Sequence, residues 1–144
     1  MIRPARGLSA TERARYAPFF DAGLLDAVRV FDAHVPFWLR PDMLGVALRD
    51  RIHFRAGAYD AESAEGIELL GHELAHVQQF RAGMTVLGYL WASRRGYRRN
   101  RYEVQAHALG ARIRAQLTSM PSSARASASA TSIPSTPADM IPPA

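Results

Sequence analysis

The chain has 144 residues, no cysteine and a formal charge of +5 that comes from arginine alone, since none of its 18 basic residues is lysine. Its length allows one domain with a modest core and excludes a second large substrate-binding domain. The lack of cysteine excludes disulfides and cysteine-based zinc sites, and a hydrophobic content of 48% argues against disorder throughout.

The amino-terminal residues lack the apolar run of a secretory signal, and no stretch reaches the ~18 apolar residues of a membrane span. We therefore expect residence in the cytoplasm by default. Export by a route that needs no cleaved signal is the alternative.

The first half of the chain predicts a short helix and then strands. Residues 9–12, Ser-Ala-Thr-Glu, have the form of a capping box and predict a helix that ends or bends at Pro18. Residues 27–31 alternate weakly and predict a strand, and residues 46–48 and 52–55 predict a β-hairpin. The 52–55 strand is expected to offer an unpaired edge to an extended peptide.

A long helix is predicted to begin after Ser63 and to stop near Gly83. Its apolar residues recur at helical spacing and are expected to face the core: Ile67, Leu70, Leu74 and Val77. His72, His76 and Gln79 fall roughly on the other side. The pattern therefore predicts a metal-binding face separate from the packing face.

That helix carries the H-E-x-x-H motif His72-Glu73-Leu74-Ala75-His76. Residues four apart lie on one helix face, so both imidazoles can reach a common Zn²⁺ at about 2.0–2.1 Å. Glu73 would then take a proton from metal-bound water as that water attacks a carbonyl carbon. The motif predicts a zinc-dependent metallopeptidase, with Zn²⁺ as cofactor, Glu73 as base and a peptide or protein as substrate.

Two further helices are predicted after the motif. Thr85 caps a helix that ends near Gly96, and Asn100 caps another that runs to about Leu117. The apolar positions expected on the last helix are Val104, Ala108, Ala111 and Leu117.

From residue 118 to residue 144 the composition changes to Ser, Ala, Pro and Thr without aromatic residues. Such a segment buries too little apolar surface to offset its ordering entropy, so we predict a disordered tail. The predicted organisation is a domain over residues 1–117 and a tail over residues 118–144.

A catalytic zinc of this kind needs a third protein ligand and an open position. Glu103 is the candidate, because its helix can fold back antiparallel to the motif helix. Asn100 and Glu103 also have capping-box spacing, so the alternative is that the carboxylate only satisfies a backbone N–H. His107 lies four residues further on the same face and is the alternative third ligand or a supporting group. His34 and His53 lack partner spacing and are left out of the site.

Peptide hydrolysis also needs a donor that stabilises the oxyanion. The sequence offers several candidates and does not choose among them: Tyr89, Tyr97, Tyr102 and His107. For Tyr89, core packing is the alternative.

Five arginines, hereafter the arginine cluster, lie between the last two predicted helices: Arg94, Arg95, Arg98, Arg99 and Arg101. The patch Arg94–Arg101 suits an acidic protein partner. Nucleic-acid binding ranks last, because arginines at a helix end usually form a solvated face that complements the helix dipole.

Three runs carry a resemblance to a known family. Residues 51–60, RIHFRAGAYD, and 69–79, LLGHELAHVQQ, resemble the small zinc-metallopeptidase-like domain called the eCIS core domain, found in proteins associated with extracellular contractile injection systems. Residues 100–106, NRYEVQA, resemble the N-x-x-E-x-x-A segment that supplies a glutamate in gluzincin-type relatives. The resemblance spans roughly Asp26 to Arg114.

The resemblance implies an α+β, minimal zincin-like fold, in which a small antiparallel sheet lies beside an active-site helix and a glutamate-bearing helix. By the same comparison His72 and His76 bind zinc and Glu103 completes the ligand set, while Glu73 is the base. One departure is Gln78-Gln79, which follows His76 after one valine where relatives commonly have two valines or a similar pair.

The alternative function is a non-catalytic interaction module. In that case zinc only stabilises the helix pair, and the arginine cluster docks a partner in a contractile injection system or a similar assembly. Removing zinc would then unfold the domain, with no peptide cleaved.

Overall fold

The computed structural model describes residues 4–119 and has an α+β fold, as predicted. Its elements are α1 (Ala10–Tyr16), α2 (Ala22–Ala27), β1 (Arg29–Asp32), β2 (Gly45–Leu48), β3 (Arg51–Phe54), α3 (Ala64–Arg81), α4 (Val86–Ala92), two 3-10 helices (Ser93–Arg95 and Tyr97–Arg99) and α5 (Arg101–Ser119). The predicted tail, residues 118–144, lies outside the described residues apart from its first two, which extend α5 to Ser119.

Side-chain caps fix where the predicted helices begin. Ser9 and Glu12 form the complete capping box of α1. The hydroxyl groups of Ser63 and Thr85 accept the third backbone N–H of α3 and α4. The helix α2 was not predicted, although Asp21 caps it by accepting two backbone N–H groups.

The hairpin is confirmed: β2 and β3 pair antiparallel, and Arg49 takes a positive φ of 59° in the turn. The expectation of an antiparallel sheet is wrong, because β1 pairs parallel with β3 and the sheet is mixed. After β1, the connection over residues 33–44 leaves room for one strand between β1 and β2. The hairpin then places β3 in this central position, which gives the strand order β1-β3-β2.

This order also corrects the prediction for residues 52–55. As the central strand, β3 is paired on both sides and cannot offer an edge to a peptide. Within the described residues, β2 pairs with β3 alone, so the free edge belongs to β2.

Helices α3 and α5 pack antiparallel, and two glycines allow their close approach. A Cβ on Gly110 would lie 3.0 Å from the backbone oxygen of Glu68, and one on Gly71 would lie 3.0 Å from Ile113 Cδ1. Because these two positions carry no side chain, the backbones of α3 and α5 come close together. Side chains of the two helices that lie one or two turns from the glycines can then touch each other. The glycine pair therefore sets the distance between the motif helix and the glutamate-bearing helix.

The face of α5 that packs differs from the predicted one, although Leu117 is partly buried against the core as predicted. Val104 is 53% exposed, and Ala108 and Ala111 are exposed as well. The buried positions are instead Glu103, Ala106, Gly110 and Ile113. These residues also recur at helical spacing, offset by about one residue from the predicted face, because the face that carries Glu103 turns toward α3.

Helix α3 is covered on two sides, by the sheet and by α5. The apolar positions predicted for its core face are all buried, and His72 and His76 are buried too. The predicted separation of a metal face from a packing face is therefore wrong, because α5 covers the histidine side. No helix within residues 4–119 has the length and apolar character needed to cross a membrane.

Candidate metal centre

Three predicted ligands meet where α3 faces the first turn of α5. His72 and His76 come from adjacent turns of α3, and Glu103 reaches them from α5; all three are buried. Each offers one ligand atom, and these atoms lie within 4.8 Å of one another. The antiparallel packing that was expected thus brings the carboxylate to the paired imidazoles.

The closest approaches between these groups, which involve both Glu103 oxygens, are similar in length to the distances between ligand atoms around a tetrahedral zinc. His72 Nε2 and His76 Nε2 are 3.1 Å apart. Glu103 Oε1 lies 3.1 Å from His76 Nε2, and Glu103 Oε2 lies 3.3 Å from His72 Nε2. Ligand atoms about 2.0–2.1 Å from a tetrahedral zinc are about 3.3–3.4 Å apart. Two imidazole nitrogens and one carboxylate oxygen also form a donor set that catalytic zinc takes.

Gln79 fixes the orientation of the His76 ring. Its side-chain nitrogen donates to the carbonyl oxygen of Tyr102 at 2.9 Å, and a carbonyl can only accept. The Gln79 oxygen therefore faces His76 Nδ1, 2.8 Å away, and that nitrogen carries the hydrogen. In the neutral ring Nε2 then keeps its lone pair, as a metal ligand requires. Sequence reasoning gave Gln79 no role, although its i+3 spacing from His76 was a signal.

Tyr89 and Asn100 hold Glu103 in place. The Tyr89 hydroxyl donates to Glu103 Oε1 at 2.6 Å. Asn100, which is fully buried, accepts the Tyr102 N–H and donates to the Tyr89 carbonyl, so it joins α4 to the start of α5. Asn100 is thus the cap, and the Glu103 carboxylate turns inward. Among the described residues Glu103 Oε2 accepts no hydrogen bond.

The charges of the site depend on each other. Burial alone would raise the pKa of Glu103, but its close contacts with His72 and His76 and the hydrogen bond from Tyr89 outweigh burial and hold that pKa below its usual range. Burial lowers the pKa of His72, while for His76 the contact with Glu103 outweighs burial and raises the pKa. The carboxylate is therefore ionised, as a ligand must be.

Glu73 lies beside the cluster and is almost fully buried. Burial raises its pKa to about 7. Its Oε2 atom accepts no hydrogen bond within the described residues. A carboxyl group with a pKa near neutrality is suited to accepting and releasing a proton.

The remaining histidines divide into two groups. His107 Nε2 is 3.8 Å from Glu103 Oε2 and its ring packs on His72, but its side chain is 60% exposed and it is not one of the three clustered ligands. His34 and His53 lie away from the cluster and contact each other, with His53 Nδ1 3.1 Å from the His34 carbonyl. Leaving these two out of the site agrees with their position.

A cleft of about 810 Å³ opens onto His72 and Glu73. Its walls include Gly45, at the edge of β2, and residues of the 3-10 helices between α4 and α5. Of the four predicted oxyanion donors, Tyr97 and His107 line this cleft. The Tyr89 hydroxyl is bonded to Glu103, and Tyr102 does not line the cleft; its hydroxyl accepts from Arg101.

The fold and the site define a small α+β domain in which a buried histidine pair and two buried glutamates adjoin a cleft. Residues 7–84 match the family model of the eCIS core domain, which covers more than half of the chain, and the chain belongs to this family. Membership associates it with extracellular contractile injection systems. No curated protein and no solved structure matches the chain.

The family match has different limits from the predicted resemblance. It begins at residue 7 rather than near Asp26, and so includes α1. It ends at residue 84, before α5. Glu103 therefore lies outside the matched residues, and its place beside the motif is known from the structure.

Proposed function

We propose that the protein is a zinc metallopeptidase, with His72, His76 and Glu103 as metal ligands and Glu73 as general base. The observation that carries the proposal is the meeting of three buried ligand groups from two helices, whose ligand atoms lie within 4.8 Å of one another. The buried Oε2 atoms of Glu73 and Glu103 support it, because such atoms are costly unless a ligand completes them.

Zinc, when bound, would polarise the scissile carbonyl and make water acidic enough to attack it at neutral pH. Glu73 accepts the proton of the attacking water on Oε2, which no donor among residues 4–119 occupies. It then passes this proton to the amide nitrogen as the C–N bond breaks, so the products are a carboxylic acid and an amine. Tyr97 or His107 donates to the oxyanion from the cleft wall.

The β2 strand supplies the means to hold an extended substrate. The Leu44 carbonyl accepts the Arg55 N–H across the hairpin. Because pairing alternates along an antiparallel ladder, the backbone groups of Gly45 and Ala47 point outward. Gly45 also lines the cleft. A peptide that pairs with this edge would lie along the cleft beside Glu73.

Glu73→Gln tests the mechanism, because it removes the base and keeps the shape of the side chain. We expect the zinc content to stay at the wild-type level and hydrolysis of a degenerate peptide library to fall by about 10²–10⁴-fold. The measurement is mass spectrometry of new peptide termini, with metal analysis of the same samples. Full activity of this variant would overturn the assigned role of Glu73.

A second candidate, the non-catalytic interaction module, is favoured by the surface of α4. This helix buries none of its residues, and four large apolar side chains are more than half exposed: Val86, Leu87, Leu90 and Trp91. Such a patch marks an interaction site in many soluble proteins. If this is the whole function, chelation of zinc unfolds the domain and no library peptide is cleaved by the zinc-loaded protein.

A further inference from the structure

The charges that line the cleft are unevenly balanced. Apart from Glu73, its acidic residues are Asp42, Glu65 and Glu68, and its basic residues are five arginines: Arg40, Arg95, Arg98, Arg99 and Arg114. The acidic residues are all paired. The excess of positive charge therefore lies with the arginines that have no acidic partner.

Ion pairs identify which arginines these are. Arg40 Nη2 lies 3.1 Å from Asp42 Oδ2. Arg114 Nη1 lies 2.9 Å from Glu68 Oε2, and its Nη2 lies 3.5 Å from Glu65 Oε1. Arg95, Arg98 and Arg99 make no ion pair within residues 4–119, and all three are exposed to solvent. The unpaired charge is thus confined to one wall, the 3-10 helices.

The arginine cluster consequently divides in two. Arg95, Arg98 and Arg99 line the cleft, whereas Arg94 and Arg101 do not. Arg94 lies over the Trp91 ring, 4.5 Å from its centre, and Arg101 lies over the Tyr102 ring at 4.8 Å. Five arginines that look like one patch in the sequence therefore face two different surroundings.

The basic wall is held beside the candidate metal centre. Tyr97, between Arg95 and Arg98, places its ring 6.2 Å from that of His107. The His107 ring in turn lies 4.3 Å from the His72 ring. The segment that carries the three arginines is thus connected through two aromatic contacts to a candidate ligand.

We propose that Arg95, Arg98 and Arg99 select peptide substrates with acidic side chains beside the scissile bond. This inference rests on the proposed function and names the substrate class of the same cleft. A peptide strand paired with β2 would lie along the same cleft that the three arginines line, so its side chains would come within reach of their guanidinium groups. Guanidinium groups bind carboxylates through two parallel N–H bonds, which suits Asp and Glu side chains.

The test uses full-length protein carrying Glu73→Gln and loaded with zinc, so that binding is measured without hydrolysis. The probes are three peptides of one sequence frame, with a neutral fluorophore and with Glu, Gln or Lys at the same positions. We expect the Glu peptide to bind about tenfold tighter than the Gln peptide, as two or three exposed ion pairs would give. The Lys peptide should bind weakest, and added salt should reduce the preference.

A matched pair of variants locates the preference. Arg95→Gln/Arg98→Gln/Arg99→Gln should remove it, and Arg94→Gln/Arg101→Gln should keep it. Equal binding of the Glu and Gln peptides overturns the inference. Equal loss of the preference in both variants also overturns it, since a general basic surface would then suffice.

Activity distinguishes this inference from the proposed function. If the chain with Glu73 intact cleaves no peptide but the triple variant still loses the Glu preference, the hydrolase proposal fails and the acidic-peptide site stands. If peptides are cleaved with the same kcat/KM whether they carry Glu or Gln, the hydrolase proposal stands and the inference fails.

Discussion

Two buried glutamates in this molecule have opposite surroundings. Glu12 and Glu103 are each only 2% exposed. Both oxygens of Glu12 are occupied: Oε1 accepts from Arg6 at 2.7 Å and from the Ser9 N–H at 2.8 Å, and Oε2 accepts from the Tyr59 hydroxyl. Glu103 has Tyr89 on Oε1 and no hydrogen bond on Oε2.

The difference separates a structural acid from a candidate ligand. The groups around Glu12 are donors that satisfy both carboxylate oxygens within the protein. Glu12 therefore joins α1 to the sheet and has no need of a further ligand. Two nitrogens face Glu103, and neutral His76 presents the lone pair of Nε2 because its hydrogen lies on Nδ1. A proton or a cation held between the nitrogens and the carboxylate would stabilise this arrangement.

The largest expected effect comes from exchanging each acid for its amide. In metal-free protein at slightly alkaline pH, Glu12→Gln should lower the free energy of unfolding by about 2–3 kcal/mol, less than a fully buried ion pair because Arg6 is partly exposed. Glu103→Gln should change it by less than about 1 kcal/mol, because a carboxamide can donate to an imidazole nitrogen. Urea unfolding in the presence of a chelator measures both.

Zinc should remove most of this difference between the two variants. At about 100 times its dissociation constant, zinc should stabilise the wild type and Glu12→Gln by about 2.7 kcal/mol each and leave Glu103→Gln nearly unchanged. If Glu103→Gln gains as much from zinc as Glu12→Gln does, the two acids do not differ in the way described.

A smaller effect is expected at Gln79, which orients His76. Gln79→Leu removes the acceptor of the Nδ1 hydrogen and should weaken zinc binding by about 10–100-fold. Gln79→Glu keeps an acceptor there and gives up only the bond to the Tyr102 carbonyl, so it should retain most of the affinity. Competition with a zinc-binding dye measures this, and equal losses in the two variants would show a packing role for Gln79.

The smallest expected effect is the pH dependence of the stability that Glu12 contributes. Burial by itself would raise the pKa of Glu12, but the bonds from Arg6, Ser9 and Tyr59 outweigh it and lower the pKa from 4.5. The stability that this carboxylate contributes is therefore complete above pH 4.5 and is lost as the pH falls through the lowered value. The difference in unfolding free energy between the wild type and Glu12→Gln should shrink below pH 4.5. A difference that stays constant into acid would contradict this assignment.

Local chemistry made part of this molecule predictable. Ser9, Ser63 and Thr85 cap helices through contacts within three residues, and the i, i+4 spacing of His72 and His76 fixes their common face. The approach of Glu103 is also predictable, because a short helix between the motif helix and the last helix lets the last helix fold back antiparallel.

Contacts between distant elements set the rest. The central position of β3 depends on which neighbours the strands find, and alternation along one strand does not encode that. The buried face of α5 was misjudged because it turns a glutamate inward and leaves Val104 in solvent. The i, i+3 spacing puts Gln79 beside His76, but its second bond goes to the Tyr102 carbonyl of α5, which no pattern within α3 reveals.

Metal analysis of purified wild type beside Glu103→Ala and His107→Ala tests the central claim most directly. We predict about one zinc per chain in the wild type and in His107→Ala, and a strongly reduced content in Glu103→Ala. Wild-type zinc in Glu103→Ala, or loss of zinc only in His107→Ala, would contradict the ligand set of His72, His76 and Glu103.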